Sequence, residues 1–333
     1  MMPASLPVFR LISSAALVVS CAATAAAQQT HQFTPTQFFN TYSFAHPPAL
    51  HVKPGDRVVT KTIDAAGVDW NGKTVSQSPN PQTGPFYVDG AEPGDTLVVT
   101  FNKIETNRVS AWSGSLLSPY ATTPTAISAR TDREARRLQW TIDKAKGVAR
   151  LDDATVTPGG IELPLRPMLG CVGVAPRGKE AISTSTPGAW GGNLDYAWLN
   201  AGIKVMLPVN ESGALLFMGD GHARQGEGEV AGTGLETSMD VDFTVTLIKG
   251  KAIGWPRMET ATHILVLGSA RPLLEAFQIA SAELQRWLQA DYGFSERGAQ
   301  TFMGQATEYE VANVVDPAFT VVAKIPKALL PRR

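Results

Sequence analysis

The sequence predicts a mainly β protein of the α+β class, with β-sandwich-like sheets and a C-terminal helical pair. Three observations predict it. A Pro-Gly-Asp turn occurs twice, in Lys53-Pro54-Gly55-Asp56 and in Glu92-Pro93-Gly94-Asp95, and a run rich in Val and Thr follows each time. A turn leading into a β-branched run is the pattern of a sandwich. Met239 to Ile248 alternates, with Val241, Phe243, Val245 and Leu247 on one face and Asp242, Thr244 and Thr246 on the other, as a half-buried strand does. Helical spacing enters only after Pro272.

Residues 28–50 read as an extended arm containing His46-Pro47-Pro48. Strands are expected over Arg57 to Ile63 and Thr96 to Phe101, and over Ile203 to Leu207 after the looser turn Asn200-Ala201-Gly202. Residues 64–84 form a loop carrying Asp64 and Asp69, and loops of that length are often functional. Residues 102–135 read as a long connection. Further strands are expected over Arg137 to Ile142 and within Ile161 to Val174. A second long loop, 176–195, ends in Gly191-Gly192-Asn193-Leu194-Asp195. Ala214 to Met218 leads strand-like into a central turn, and His263 to Leu267 is another apolar strand. Leu273, Phe277, Ala280, Leu284 and Trp287 or Leu288 then recur at helical spacing. Pro272 suits a first helical turn and Gly293 a stop, with a shorter helix starting near Ser295. Glu308 to Val315 and Phe319 to Ile325 close the chain as strands. A division into two β subdomains, about 28–160 and 161–333, accommodates this order.

The 333 residues carry a formal net charge of −1, with the two signs interspersed. That argues against a nucleic-acid partner and against a polybasic membrane surface. Residues 1–27 read as a signal peptide: Arg10 precedes an Ala-rich apolar run, and Ala25-Ala26-Ala27 is a small-residue cleavage site before Gln28. The expected location is periplasmic or secreted, with cleavage after Ala27. Val18-Val19-Ser20-Cys21 offers a lipobox-like alternative, a lipoprotein anchored at Cys21. The chain has only Cys21 and Cys171, so a chain cleaved after Ala27 has no disulfide framework and no Cys-based zinc site. Cys171 lies in an apolar run and reads as a small buried hydrophobe.

The polar residues converge on Gly219-Asp220-Gly221-His222-Ala223-Arg224-Gln225-Gly226-Glu227-Gly228-Glu229. Glycines let a backbone turn sharply and approach a ligand; carboxylates and imidazole are the donors a hard or borderline cation takes. Residues two apart on an extended chain share a face, so Asp220 pairs with His222, and Glu227 with Glu229 across the turn. The plainer reading is a polar hairpin whose His caps a carbonyl. His31, His46 and His51 lie in or near the arm and read as surface, and His263 as structural. A multi-His zinc site is therefore hard to build. No Gly-x-Ser-x-Gly elbow is present, and the apolar surroundings of Cys171 do not suit a nucleophile.

Five collinear stretches resemble the acetamidase/formamidase family. They are Thr83-Gly84-Pro85-Phe86-Tyr87-Val88-Asp89-Gly90-Ala91-Glu92-Pro93-Gly94-Asp95; Arg166-Pro167-Met168-Leu169-Gly170 with Val172-Gly173-Val174-Ala175-Pro176; Gly191 to Asp195; Gly219 to Val230 with Glu236; and Val314-Val315-Asp316-Pro317. The resemblance implies an acetamidase/formamidase-like fold, metal-assisted hydrolysis of small aliphatic primary amides of the formamide or acetamide type, and a homodimer. Asp220 and His222 match the family's Gly-Asp-x-His, Glu229 the Glu that closes its Gly-Asp-Gly-Glu, and Asn193 and Asp195 its Gly-Gly-Asn-x-Asp. Three positions depart from the family pattern: Trp190 for His, Asp89 for Glu, and Glu227 for the first acid of that Gly-Asp-Gly-Glu.

The expected site follows. Asp220 and His222 hold a divalent ion, zinc first and calcium second, with Asp195 and Asp64 added from other loops. Glu229 is the general base, Asp195 also acts in catalysis, and Asn193, Asp89 and Trp190 contact the substrate. Asp64 reads equally as a solvated loop acid, and Asp69 and Glu236 read rather as structural acids. The alternative function is an exported, non-catalytic β-sandwich binding module with a structural metal; a closed oxygen cage would favour it, and an open coordination position the enzyme.

Overall fold

In the computed structural model, residues 1, 28–131 and 134–332 are described. The expected signal segment, its cleavage point after Ala27 and the alternative anchor Cys21 lie outside the described residues.

The two Pro-Gly-Asp turns close as the sequence dictates. Asp56 N–H donates to Lys53 O at 2.9 Å and Asp95 N–H to Glu92 O at 3.0 Å. The Asp carboxylates in turn accept from the amides of Lys53 and Glu92. Gly55 and Gly94 take φ of 99° and 96°, values open to glycine at little steric cost. Each turn launches a strand, Arg57–Lys61 and Thr96–Thr106, and both pair antiparallel with Met239–Ile248. These three form the heart of a nine-stranded sheet. Its order is Thr30–Gln32, Arg57–Lys61, Met239–Ile248, Thr96–Thr106, Lys204–Pro208, Arg257–Glu259, His263–Ala270, Phe319–Pro326, Glu308–Asn313.

The alternating apolar residues of this sheet face a second, five-stranded sheet: Gly191–Asn193, Met168–Gly173, Leu216–His222, Thr83–Val88 and Leu50–Val52. Val99, Phe101, Val241, Phe243 and Val245 from the first pack with Phe86, Val88, Leu169, Val172, Leu216 and Met218 from the second. The rings of Phe86 and Phe243 meet edge to face at 5.2 Å, a favourable aromatic geometry. The expected sandwich is therefore present, and it is one sandwich. Both large sheets draw strands from either side of residue 160, so the chain is interleaved across that boundary.

Period-two patterning sends the other residues of His263–Ala270 outward. Ile264 and Val266 pack on Ala280, Leu284, Trp287 and Leu288 of the helix Leu273–Tyr292. A Cβ on Gly268 would lie 2.4 Å from Ala276 O, so the helix rides on a glycine. Gly293 ends the helix in the left-handed conformation at φ 70°, and the Ser295 hydroxyl caps Glu296–Ala306. Pro272 sits just before the first turn. Leu273 and Phe277, expected in the buried stripe, are 37 % and 39 % exposed. Phe277 stacks instead on Tyr309 of the edge strand Glu308–Asn313, ring centroids 4.1 Å apart.

The stretches read as connections hold structure that lacks a periodic signal. Residues 102–135 contain the end of Thr96–Thr106, the four-residue strand Ser110–Ser113 and the short helix Pro124–Ser128. Ser110–Ser113 joins Leu138–Asp143, Val148–Leu151 and Ile161–Pro164 in a small antiparallel sheet. That sheet has its own core of Ala111, Trp140, Ile142, Ala149 and Leu151, and Ala223 and Leu235 fasten it to the central turn. Its edge strand forms one wall of the site.

Candidate active site

The site lies where three strands of the five-stranded sheet end. Met168–Gly173 runs between Leu216–His222 and Gly191–Asn193, with Met168 opposite His222 and Cys171 opposite Asn193. Gly170 has no side chain where one would clash: a Cβ there would lie 2.3 Å from Asp195 Oδ1 and 2.5 Å from Asp220 Oδ2. The two carboxylates close over this bare backbone. Asn80 (φ 51°), Asp195 (43°), Asp220 (56°) and Glu229 (46°) are four of the seven non-glycine residues with positive φ among those described. A left-handed backbone is costly for such residues, and its concentration here marks a functional constraint.

His222 is completely buried, with Nε2 3.0 Å from Glu236 Oε1 and 3.4 Å from Asp220 Oδ1. Two groups could each hold a cation, Asp195–His222–Glu229 and Asp220–His222–Glu236, and in each the donor atoms lie within 4.8 Å of one another. His222 is common to both. Its Nε2, one oxygen of Glu236 and both oxygens of Asp195 are buried without a hydrogen-bond partner. Such groups are costly to bury unless something binds them.

Gln225 settles how the imidazole is presented. Its Nε2 faces the carbonyl oxygens of Asp195 and Ala312 at 2.5 and 3.5 Å. Carbonyls only accept, so the amide nitrogen must be on that side and Oε1 must face His222 Nδ1, 2.8 Å away. Oε1 can only accept, so Nδ1 carries the proton. In the neutral imidazole the free lone pair is then on Nε2, pointing at the carboxylates, which is the arrangement of a metal-ligating His with a supporting partner.

Five carboxylates crowd this one imidazole, and their ionisation reflects it. Burial, then Asp316, raises Asp195 well above the usual carboxylate range. Burial, then Asp195, does the same to Glu229, and burial, then Glu229, to Asp316. Glu236 is pushed up to about 7 by burial, with Asp220 adding to it. Asp220 is lowered: burial opposes its ionisation, but His222 and an Asn80 hydrogen bond outweigh it. Burial disfavours the imidazolium, yet Glu236 and Asp220 raise His222 well above 6.5. The cluster demands a positive charge at its centre, whether proton or cation.

The polar frame is satisfied around it. Asn80 Nδ2 donates to Asp220 Oδ2 at 3.0 Å and to Asn193 Oδ1 at 3.1 Å. Asn193 Nδ2 donates to Asp316 Oδ2 at 2.9 Å. Cys171 is a protonated thiol, raised by burial and then by Asp220, and its Sγ lies 2.7 Å from Asn193 Oδ1. It is a buried donor.

A cleft of about 270 Å³ reaches the cluster from the surface, lined by Asn193, Asp220, Glu229, Glu236 and Asp316 within and by Trp112 and Arg137 among others. Among the described residues, none hydrogen-bonds the Glu229 carboxylate.

The structure brings Asp195, Asp220, His222, Glu229 and Asn193 together, and it leaves three expected residues out, Asp64, Asp89 and Trp190. Asp64 Oδ1 accepts from the amides of Ala66 and Val68, and Oδ2 takes Arg108 Nη2 at 2.6 Å and Trp112 Nε1 at 3.3 Å. Its oxygens are spent on a turn and an ion pair. Asp89 is a surface residue facing His51 at 3.1 Å. Trp190 packs into the core beside Tyr42 and Phe217 and does not line the cleft. Glu227 accepts from Trp198 Nε1 at 2.9 Å, outside the cleft. Asp69 accepts two amides of its own turn. Sequence reasoning did not single out Asn80, Gln225 or Asp316 as site residues and read Glu236 as a structural acid; the structure places all four at the cluster. Asn80 lies in the long loop 64–84, Gln225 three residues beyond His222, and Asp316 in Val314-Val315-Asp316-Pro317.

The sequence pattern of the Acetamidase/Formamidase family matches residues 174–330. The fold is similar to an acetamidase from Yersinia enterocolitica: TM-score 0.79, 32 % identity, 93 % of this chain and 96 % of that chain covered. It is equally similar to a predicted acetamidase/formamidase from the thermophile Thermoanaerobacter tengcongensis, with TM-score 0.79, 28 % identity and 91 % and 97 % covered. A Schizosaccharomyces pombe protein bearing a provisional formamidase name is 23 % identical over 271 residues, 63 % of this chain. The match spans 64 % of that relative's length. With the five collinear motifs and near-complete overlap with these structures, the chain belongs to the acetamidase/formamidase family.

Proposed function

We propose that the protein hydrolyses small linear primary amides, RCONH₂ + H₂O → RCOO⁻ + NH₄⁺, with the help of a divalent cation. One observation carries the cation: the buried, unpartnered Nε2 of His222 and both oxygens of Asp195 converge where Gly170 leaves room. Asp220, His222 and Glu236 would hold it, with Asp195 alongside. A mixed imidazole and carboxylate set fits zinc ahead of calcium, which prefers oxygen alone. When bound, the cation supplies a Lewis acid for the amide carbonyl and the attacking water.

The chain's own residues do the rest. Glu229 lines the cleft with its carboxylate uncommitted. It takes the proton of the attacking water and returns it to the leaving nitrogen, the two tasks of a general base and acid. Burial and Asp195 keep its proton affinity high, which suits the second task. Asn80 and Asn193 fix Asp220 and Asp316, so the carboxylates need not rearrange during the reaction. An open cleft onto the cluster favours turnover over a closed structural cage.

The test is ammonia release from formamide, acetamide and larger primary amides, before and after cation stripping and add-back. Activity that disappears and returns with the cation is the expected result. A folded, cation-loaded protein that releases ammonia from none of them points to the binding module instead. Export with cleavage after Ala27 is part of the proposal, motivated by the Ala25-Ala26-Ala27 site. The mass of the exported protein checks it, and a lipid on Cys21 would replace it.

A further inference from the structure

We propose that the cleft is built for primary amides with an anionic group at the far end, and that Arg137 selects it. This rests on the amidase reading above.

The cleft is too roomy for the smallest amides alone. Formamide has three heavy atoms and fills about 60 Å³, roughly the share of two waters at about 30 Å³ each; the cleft holds about 270 Å³. What lines the remainder is specific. In Ser110–Ser113, Ala111 and Ser113 are buried and Trp112 turns toward the cleft. Trp112 is paired by its backbone with Glu236, N–H to O at 3.1 Å and O to N–H at 2.8 Å. Its ring therefore starts beside the candidate centre. Its Nε1 is fastened to Asp64. Over that ring, 3.8 Å from its centroid, lies the guanidinium of Arg137.

Two arginines approach this wall, and they differ. Arg108 is spent on Asp64 at 2.6 Å. Arg137 has no carboxylate partner among the described residues, and it is the one cationic side chain among the described residues lining the cleft. A guanidinium that uses its face on an aromatic ring keeps its N–H fork free, and that fork matches a carboxylate. The inner end of the cleft is lined by four acids, Asp220, Glu229, Glu236 and Asp316, and offers an anionic tail no cationic side chain, while the outer end offers Arg137. The charge pattern thus admits an anionic amide in one orientation, amide group inward.

The test uses two amides with the same number of heavy atoms, succinamate with its carboxylate and the neutral 4-methylpentanamide. In the wild-type protein kcat/KM for succinamate should exceed that for 4-methylpentanamide about tenfold, as for a partly exposed charged hydrogen bond. The ratio should fall to near one in Arg137→Gln, mainly through KM. An unchanged ratio, including one in which both amides decline together, overturns the selection role and leaves the amidase reading intact. If neither is hydrolysed while formamide or acetamide is, the tail proposal is overturned and the amidase reading stands; if no amide at all is hydrolysed, the amidase reading fails, and calorimetric binding of the same two compounds decides the tail. Preference for succinamate that Arg137→Gln abolishes supports the site; equal binding overturns it.

Discussion

Gln225 Oε1 lies 2.8 Å from His222 Nδ1, and the Gln225 amide nitrogen is held by two backbone carbonyls, so the glutamine can only accept from the imidazole. The tautomer of His222 is thereby imposed by a residue that does not itself face the carboxylate cluster. Gln225→Leu should keep the fold and weaken divalent-cation binding about 10- to 100-fold, the usual effect of removing such a support. Cation titration of the stripped protein, with circular dichroism as a control for folding, reads this directly. An unchanged affinity would remove Gln225 from the positioning role.

Glu229 and Glu236 both line the cleft, but their surroundings assign them different work. Glu236 Oε1 accepts from Gly234 N–H and sits 3.0 Å from His222 Nε2, while the Glu229 carboxylate has no such commitments. Glu229→Gln should retain the cation and lower kcat by about 10²–10⁴. Glu236→Gln should lose cation affinity first. Cation content beside kcat separates the two; the reverse pattern would exchange their roles.

Much of this was legible in the sequence, and the boundary has a physical basis. Met239–Ile248 was readable because one of its faces is wet and the other dry, so its alternation is visible. Met168–Gly173 is buried throughout, and a strand covered on both faces shows no period to read. The Asp220 and His222 pair stood out through spacing and glycine. Asn80 and Asp316 did not, because their partners lie 140 and 123 positions away, and Gln225 did not, because the carbonyls that orient its amide lie 30 and 87 positions away. Asp64 and Asp89 were misplaced for the converse reason: an acid looks the same in sequence whether its oxygens are spent on Arg108 or His51, or left open.

The crowding of acids makes the stability of the stripped protein depend on pH in a definite direction. Glu236 is raised from 4.5 to about 7, and Asp195, Glu229 and Asp316 are raised as well. Each binds its proton more tightly folded than unfolded. Their contributions are fully present below the ordinary carboxylate range and are lost as pH rises through the folded values. His222, raised above 6.5, acts in the same sense; Asp220, lowered, matters only at more acidic pH. Melting of the cation-free protein should therefore shift downward by several degrees between about pH 5 and 8. Added cation should restore it most at the alkaline end, where protons no longer compete for His222. A cation-free melting temperature that rises over this range would contradict the charge arrangement.

Gly170 is where backbone chemistry and the centre meet most tightly. A methyl group there would lie 2.3 Å from Asp195 Oδ1 and 2.5 Å from Asp220 Oδ2, so Gly170→Ala must displace both carboxylates. Its φ is not among the positive values, so the backbone itself tolerates alanine and the conflict is with the carboxylates. Gly173, in the same strand, offers the comparison, because a Cβ there meets Gly192 N at 2.6 Å and Tyr42 at 3.1 Å. Both substitutions should cost about 1–3 kcal/mol by overpacking. Only Gly170→Ala should also lose at least about tenfold in cation affinity, and ammonia release with it, because only there is the ligand set displaced. Denaturant unfolding beside cation titration compares the pair. Equal losses of cation affinity in both variants would mean that the bare backbone at Gly170 serves sheet packing alone.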